Sequence, residues 1–422
     1  MSSMRIISTL LLLLFLCHNS LAAEQGSISL SSGNDINYSR YAAEGSDLIL
    51  WFYSEAGPQS HDILLAQAIA KAGTEIWLID LFASYFLPVA LSSMDNIPAA
   101  DISELIRLAQ AKSGKTIYAV GTGRAAIPLL RGTQQLQRLD SADQSLGGLI
   151  LISPKFYVST PEPGQQGKLM PVVSNSNALI FVIQPKESPW FWKLDHTLPA
   201  LQQGGSDVFL QLINDVRDRF YFRPDADAYE DSVSKQLPMM LRQAISGLKN
   251  FPKKSRTPGQ QSAETFSADN IRKVKKLRPH KANPIPPALA LADMNSQQVD
   301  LEDYKNSVVL VNFWASWCPP CVHEMPSMQR LQDHFTNDKF IILGVNMAEK
   351  KPVIEEFLKT KVSVSFPVLL DTDGAALKRW QVFAFPSSYL IDKKGRIRYS
   401  LFGSIEWDNS DTLSVIRQLV NE

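Results

Sequence analysis

The chain has 422 residues, of which 45% are hydrophobic and 20% charged, and its formal net charge is zero. That length exceeds one ordinary compact domain and predicts two or three units, each with its own core. The balance is that of a soluble globular protein: it excludes a disordered or membrane-embedded chain, and nothing global steers the molecule toward nucleic acid.

Residues 1–22 read as an export signal. Arg5 supplies a weakly positive start, Ile6 to Cys17 form the apolar core, and Ser20-Leu21-Ala22 offers small residues for cleavage. The apolar run is short for a bilayer span, although an uncleaved anchor stays open because the segment can be extended. The expected location is therefore outside the cytoplasm, with membrane anchoring expected only if cleavage fails. Cys17 follows the bulky Leu16, which argues against lipidation, and it leaves with the signal.

 Cleavage makes the product an exported, periplasmic protein.

From Asp47 onward, short apolar runs alternate with helical stretches. The predicted strands are Asp47 to Tyr53, Glu75 to Asp80, Thr116 to Val120, Gly148 to Ile152 and Ala178 to Ile183. Nearly continuous apolar runs of this length imply strands buried on both faces. Helices are expected over Asp62 to Ala72 and over Ile102 to Ser113, the second opening on an Asp101 or Ser103 cap and ending near Gly114. Such alternation predicts a mostly parallel sheet with helices on both faces over residues 23–250.

In "IYAVGTGRAA" a strand meets a helix through a sharp turn of small residues. An α/β-hydrolase carries its nucleophile at such a turn in the pattern G-x-S-x-G. Here Gly121-Thr122-Gly123-Arg124-Ala125 puts glycine at the nucleophile position. The strands and this elbow resemble the α/β-hydrolase fold, and the resemblance implies a degenerate domain kept for binding or recruitment. Ser188, with Glu187 beside it, stands near where the acid of a triad is expected, and "INDVRDRFYF" offers no histidine where the base belongs. His61 and His196 read as surface or loop residues. Thr122 as a displaced nucleophile lacks a positioned base. A phosphate-binding glycine turn is the other reading of the elbow, without the P-loop lysine.

Residues 251–284 shift in composition. Pro252 to Lys281 holds nine Lys or Arg against two acidic residues, with prolines at 252, 258 and 279. The stretch is expected to be a solvated tether, since no apolar stripe accompanies the charges as a lipid-binding segment requires.

A second α/β pattern fills residues 285–422. Expected strands are Val308 to Trp314, Phe340 to Asn346, Phe366 to Leu370, Ser387 to Ile391 and Ile397 to Phe402. Helices are expected from Cys318 to about Phe335, over Pro352 to Thr360, around Ala375 to Trp380 and from Asn409.

Within this part, "FWASWCPPCVHEMP" carries the only cysteines outside the signal, Cys318 and Cys321. A pair this close cannot staple distant segments, which points to chemistry. Cys318 is placed where strand gives way to helix, beside free N–H groups and the positive end of the macrodipole, so its thiolate is favoured. Cys321, one turn deeper, can resolve a mixed disulfide. Pro319 and Pro320 suit a first helical turn. A zinc half-site would need two further ligands with only His323 nearby, and an inert disulfide would constrain little, so neither metal nor cofactor is expected beyond the Cys318–Cys321 couple.

"VVLVNFWASWCPPCVHEMP", "FPVLLDTDG" and "FPSSYLIDKKGRI", in that order, resemble the TlpA/ResA-like exported thiol-disulfide oxidoreductases of the thioredoxin superfamily. The resemblance implies a thioredoxin-like domain with Cys318 as nucleophile, Cys321 as resolving thiol and Pro386 as a cis-proline that helps bind an extended substrate strand beside Phe385. It also implies disulfide-containing exported proteins as substrates and a membrane thiol reductant of the DsbD/CcdA type as electron donor. Asn312 stands where thioredoxins proper carry a buried acid, and Glu324, three residues after the second cysteine, takes that role in this group. Trp317, beside the cysteines, is expected to help dock partners.

Overall fold

The computed structural model describes residues 23–140, 145–161, 166–252, 255–257, 276–280, 284–336 and 338–422. The export segment lies outside them, as does most of the expected tether. Two principal sheets organise the chain, one for each α/β pattern.

The first sheet contains β1 (Glu24–Ser29), β2 (Asp35–Tyr41), β3 (Asp47–Phe52), β4 (Glu75–Asp80), β5 (Thr116–Thr122), β6 (Leu146–Ile152), β7 (Leu179–Glu187) and β8 (Asp207–Arg217). Its spatial order is β1-β2-β4-β3-β5-β6-β7-β8. β2 runs antiparallel to both neighbours, and every pairing from β4 to β8 is parallel. Leu48 to Phe52 and Ile117 to Val120 are almost wholly inaccessible, the burial on both faces that their unbroken apolar runs imply. Helices Ser60–Lys71 and Leu237–Asn250 pack together, and Ala99–Ser113 packs on Ala126–Leu139.

Three strands were not legible beforehand. β1 and β2 are polar and pair with each other at the sheet edge, and β8 is an outer strand with an exposed face. The cap of helix Ala99–Ser113 is a correction: the helix starts one turn earlier, after Pro98, and neither Asp101 nor Ser103 caps it. Asp101 instead accepts hydrogen bonds from the Tyr85 hydroxyl at 2.6 Å and from Ser32 at 3.0 Å. Tertiary partners thus take up the carboxylate that local pattern assigns to capping. Gly114 closes the helix in the left-handed conformation, as its position predicts.

The second part contains β9 (Arg278–Pro279), β10 (Ala290–Ala292), β11 (Gln298–Asp300), β12 (Val308–Trp314), β13 (Phe340–Met347), β14 (Val368–Asp371), β15 (Ser387–Ile391) and β16 (Ile397–Phe402). β10 and β11 form a small hairpin, and the main sheet has the order β14-β13-β12-β15-β16-β9. β12, β13 and β14 are parallel, whereas β15, β16 and β9 are antiparallel. β9 corrects the reading of 251–284 as tether throughout, because Arg278 and Pro279 pair with Ser400 and Tyr399 as an edge strand. A proline is tolerated there because one side of an edge strand needs no donors. Arg256 is also held, by Asp207 at 2.6 Å.

Strand alternation divides the second core. Val309, Val311 and Phe313 pack in one cluster with Cys321 and Trp380, while Val308 and Leu310 face a second cluster with Met328 and Trp407. Asn312 shares the parity of Val308 and Leu310.

Candidate active site

Helix Pro319–His334 begins where β12 ends, and Cys318 is its N-cap. The Cys318 sulfur accepts from the Cys321 amide at 3.3 Å, so the helix terminus already solvates that atom. Pro319 and Pro320 occupy the first turn, where absent N–H groups cost least, and both are exposed. Cys318 and Cys321 are joined as a disulfide. Cys318 is 4% exposed and Cys321 fully buried, which leaves Cys318 as the sulfur nearer to solvent.

Below the pair lies a buried polar cluster. Glu324, on the same helix as Cys321, is completely buried. One of its oxygens accepts from Asn312 Nδ2 at 2.9 Å and the other from Trp407 Nε1 at 2.9 Å. Asn312 also donates to Ser388 Oγ at 2.9 Å. Ser327 Oγ, accepting from the Trp407 amide at 3.0 Å, ties the Trp407 segment to the same helix. A buried carboxylate held by several donors is fixed in place, and three residues along a helix from Cys321 it shares that side of the helix.

The rim is aromatic. Trp317 meets Phe385 edge-on, ring centroids 5.5 Å apart, and both are half-buried. The Phe385–Pro386 peptide bond is cis. Glu349 braces the loop before the cysteines: it accepts from the Ser316 amide at 2.7 Å, from the Ser316 hydroxyl and from Asn346 Nδ2 at 2.7 Å. The structure thus joins Asn312 to Glu324 and Trp317 to Phe385. Sequence reasoning missed Trp407 and Glu349, which lie in no motif, and Ser388, which lies in "FPSSYLIDKKGRI" but was given no role.

The elbow of the first sheet is built differently. Gly123 has φ +55°, the left-handed region. A Cβ placed there would stand 2.5 Å from Glu55 Oε2. Glu55 occupies the space of a nucleophilic side chain. Its carboxylate accepts from the Arg124 amide at 2.9 Å and pairs with Lys155 and with Arg219, the latter at 3.3 Å. Burial alone would raise the Glu55 pKa, but the charge and hydrogen bond of Lys155, with the Arg124 amide, bring it down to about 2. Thr122 is buried, its hydroxyl 3.4 Å from the Phe52 carbonyl. His61 is exposed, and His196 lies against the Tyr157 hydroxyl at 2.9 Å. Ser188 is fully buried.

A disulfide-forming cysteine pair at a strand-to-helix junction of a thioredoxin-like sheet defines a thiol-disulfide oxidoreductase domain. The sequence model of the AhpC/TSA family matches residues 283–400. Thiol-disulfide oxidoreductase ResA of Bacillus subtilis (strain 168) is 37% identical over 111 residues, covering 26% of this chain and 62% of that protein. Its namesake from Geobacillus kaustophilus (strain HTA426) is 33% identical over 119 residues, covering 28% of this chain and 68% of that protein. Through this region the chain belongs to the ResA family of thiol-disulfide oxidoreductases, and it spans 62% of the first relative's length. The crystal structure of StoA from Bacillus subtilis is 26% identical, covering 32% of this chain and 98% of that one, with a TM-score of 0.28. Among the described residues no helix is long and apolar enough to cross a membrane.

Proposed function

We propose that this chain is an exported enzyme that reduces or exchanges disulfides in partner proteins through Cys318 and Cys321. The observation that carries the reading is the placement of Cys318 at a helix N-cap, with the buried Cys321 and Glu324 following on the same helix. The Cys318 thiolate attacks one sulfur of a substrate disulfide, and the other substrate sulfur leaves as a thiolate. Cys321 gives its proton to Glu324, directly or through a shared hydrogen bond, and its thiolate attacks Cys318. The second substrate thiolate leaves, and two electrons have passed from the dithiol to the substrate. A membrane thiol reductant of the DsbD/CcdA type then restores the pair. Trp317, Pro319, Pro320, Phe385 and Pro386 form the surface that meets the partner.

The units in this reading are a signal at 1–22, a first domain at 23–250, a basic tether from 251 and the redox domain from 285. The first domain is a degenerate hydrolase-like domain used for binding or recruitment. The order β1-β2-β4-β3-β5-β6-β7-β8 and the strand-elbow-helix at Gly123 support it, and Glu55 in the nucleophile's space disfavours hydrolysis. The test is dithiothreitol-driven insulin reduction, expected with wild type and lost in Cys318→Ser. Cys321→Ser should accumulate mixed disulfides with partners in the exporting cell. A wild-type protein that leaves insulin oxidised contradicts the reading.

A further inference from the structure

Phe383 and Tyr157 are 4% and 5% exposed, yet neither belongs to a hydrophobic core of its own sheet domain. They bury each other. Their rings meet edge to face with centroids 5.0 Å apart, and Trp190 closes on Phe383 from another side at 5.8 Å. Lys193 Nζ donates to the Val382 carbonyl at 2.9 Å and stands 5.3 Å from the centre of the Phe383 ring. These residues come from the first domain, and Val382 and Phe383 come from the second, two positions before Phe385-Pro386.

We propose that Tyr157, Trp190 and Lys193 are positioning residues of the redox site, through which the first domain fixes the loop that receives the substrate polypeptide. The inference rests on the reading above that the Phe385-Pro386 loop meets the substrate. The loop is anchored on its far side by β15, beginning at Ser387, whose hydroxyl donates to the Ala384 carbonyl. On its near side Val382 is seated in the redox domain's own core, its amide donating to the Leu377 carbonyl at 3.0 Å, and the first domain adds the Lys193 hydrogen bond and the aromatic box. Without the first-domain contacts Phe383 would be left on the surface, and the stretch between Val382 and the cis-proline would lose its outer hold.

The box is itself held from behind. Arg124, the residue after the glycine of the elbow, is fully buried and forms a two-point pair with Asp95 at 2.7 Å for each contact. It also donates to the Tyr157 carbonyl and, at 3.3 Å, to the Lys155 carbonyl. Two further contacts fix the same boundary. Trp192 lies so close to Gly374 that a Cβ there would come within 2.3 Å of its ring, and Lys378 pairs with Asp195 at 3.0 Å. The elbow that in a hydrolase would carry a nucleophile here supports, through Arg124 and Tyr157, a loop of the redox domain.

The experiment uses the full chain, pre-reduced and freed of reductant, and measures second-order rate constants with two oxidants: a disulfide-bridged peptide and dithiodipyridine. Dithiodipyridine needs only the sulfur, whereas the peptide needs the loop. In Lys193→Met and in Tyr157→Leu the peptide-to-dithiodipyridine ratio should fall on the order of fivefold, as misplacing a binding element does. Lys193→Arg, which keeps a donor, should restore at least half of the loss. A ratio equal to wild type in Lys193→Met overturns the proposal, whether both rates fall together or neither does. Should Tyr157→Leu not fold, Lys193→Met decides alone. A wild type that reacts with neither oxidant overturns the redox reading itself and is recognised without any variant.

Discussion

At the residue scale, the buried carboxylate that follows the cysteines lies on the helix, and the facing strand carries an amide. Asn312 occupies the strand position and donates to Glu324, so an amide holds the carboxylate to which the proposed cycle gives the proton of the resolving thiol. Glu324→Gln should slow resolution of a preformed mixed disulfide about a hundredfold, the low end of what a lost proton transfer costs. Stopped-flow release of the bound peptide measures it, and an unchanged rate returns Glu324 to a structural role. Trp407→Phe keeps a smaller aromatic ring and removes a donor to a buried carboxylate, and the lost donor alone should cost about 1–3 kcal/mol in urea unfolding, with the lost packing volume adding to it. The cysteines, the prolines and Glu324 were legible in sequence because they lie within one short motif. Trp407 was not, since its bond to Glu324 spans 83 residues and no local pattern reports such proximity.

At the element scale, the helices and strands that nearly coincide with expectation are those with a strong apolar period. β15 and β16 run over the expected residues, and β12 does as well. β1 and β2 escaped because Ser, Gly, Asn and Asp carry little strand preference, and their hydrogen bonds to each other and to β4 make them strands. The elbow between β5 and helix Ala126–Leu139 was legible as a turn, but its occupant was not. Glu55 follows β3, which pairs beside β5 only in the folded sheet. Its folded pKa of about 2, against 4.5 for the free side chain, means that the unfolded chain binds more protons between those values. The stability it contributes is complete above pH 4.5 and is lost as pH falls through that window, on the order of 3 kcal/mol. Urea titrations of wild type and Glu55→Gln should therefore converge as pH is lowered from 6 toward 2.5; a constant gap would contradict the assignment.

At the scale of the whole molecule, the two sheets meet beside the redox loops. Glu187, at the end of β7, has its pKa raised to about 7, by burial first and then by Glu349, Asp215 and Glu230, with Arg217 opposing. Here the folded protein binds more protons than the unfolded chain between about 4.5 and 7, so this group lowers stability as pH rises through that window. Glu187→Gln should flatten the decline in unfolding midpoint between pH 5 and 8, read by thermal denaturation, and an identical slope would exclude Glu187 as its source. The presence of two α/β units was visible in the sequence from their composition and alternation. Their mutual packing was not, because Phe383, Tyr157 and Trp190 look like ordinary apolar residues until both units are folded.

The burial of the two sulfurs also sets the kinetics. With Cys321 fully buried and Cys318 barely exposed, the proposed cycle has a single sulfur to serve both the electron donor and the acceptor. The two partners cannot be bound covalently at once, and each must leave before the other arrives. Turnover should follow a ping-pong scheme, with parallel double-reciprocal lines at varied donor concentration and inhibition by either partner in excess. In that scheme the site works as a turnstile, and intersecting lines would show a second way through.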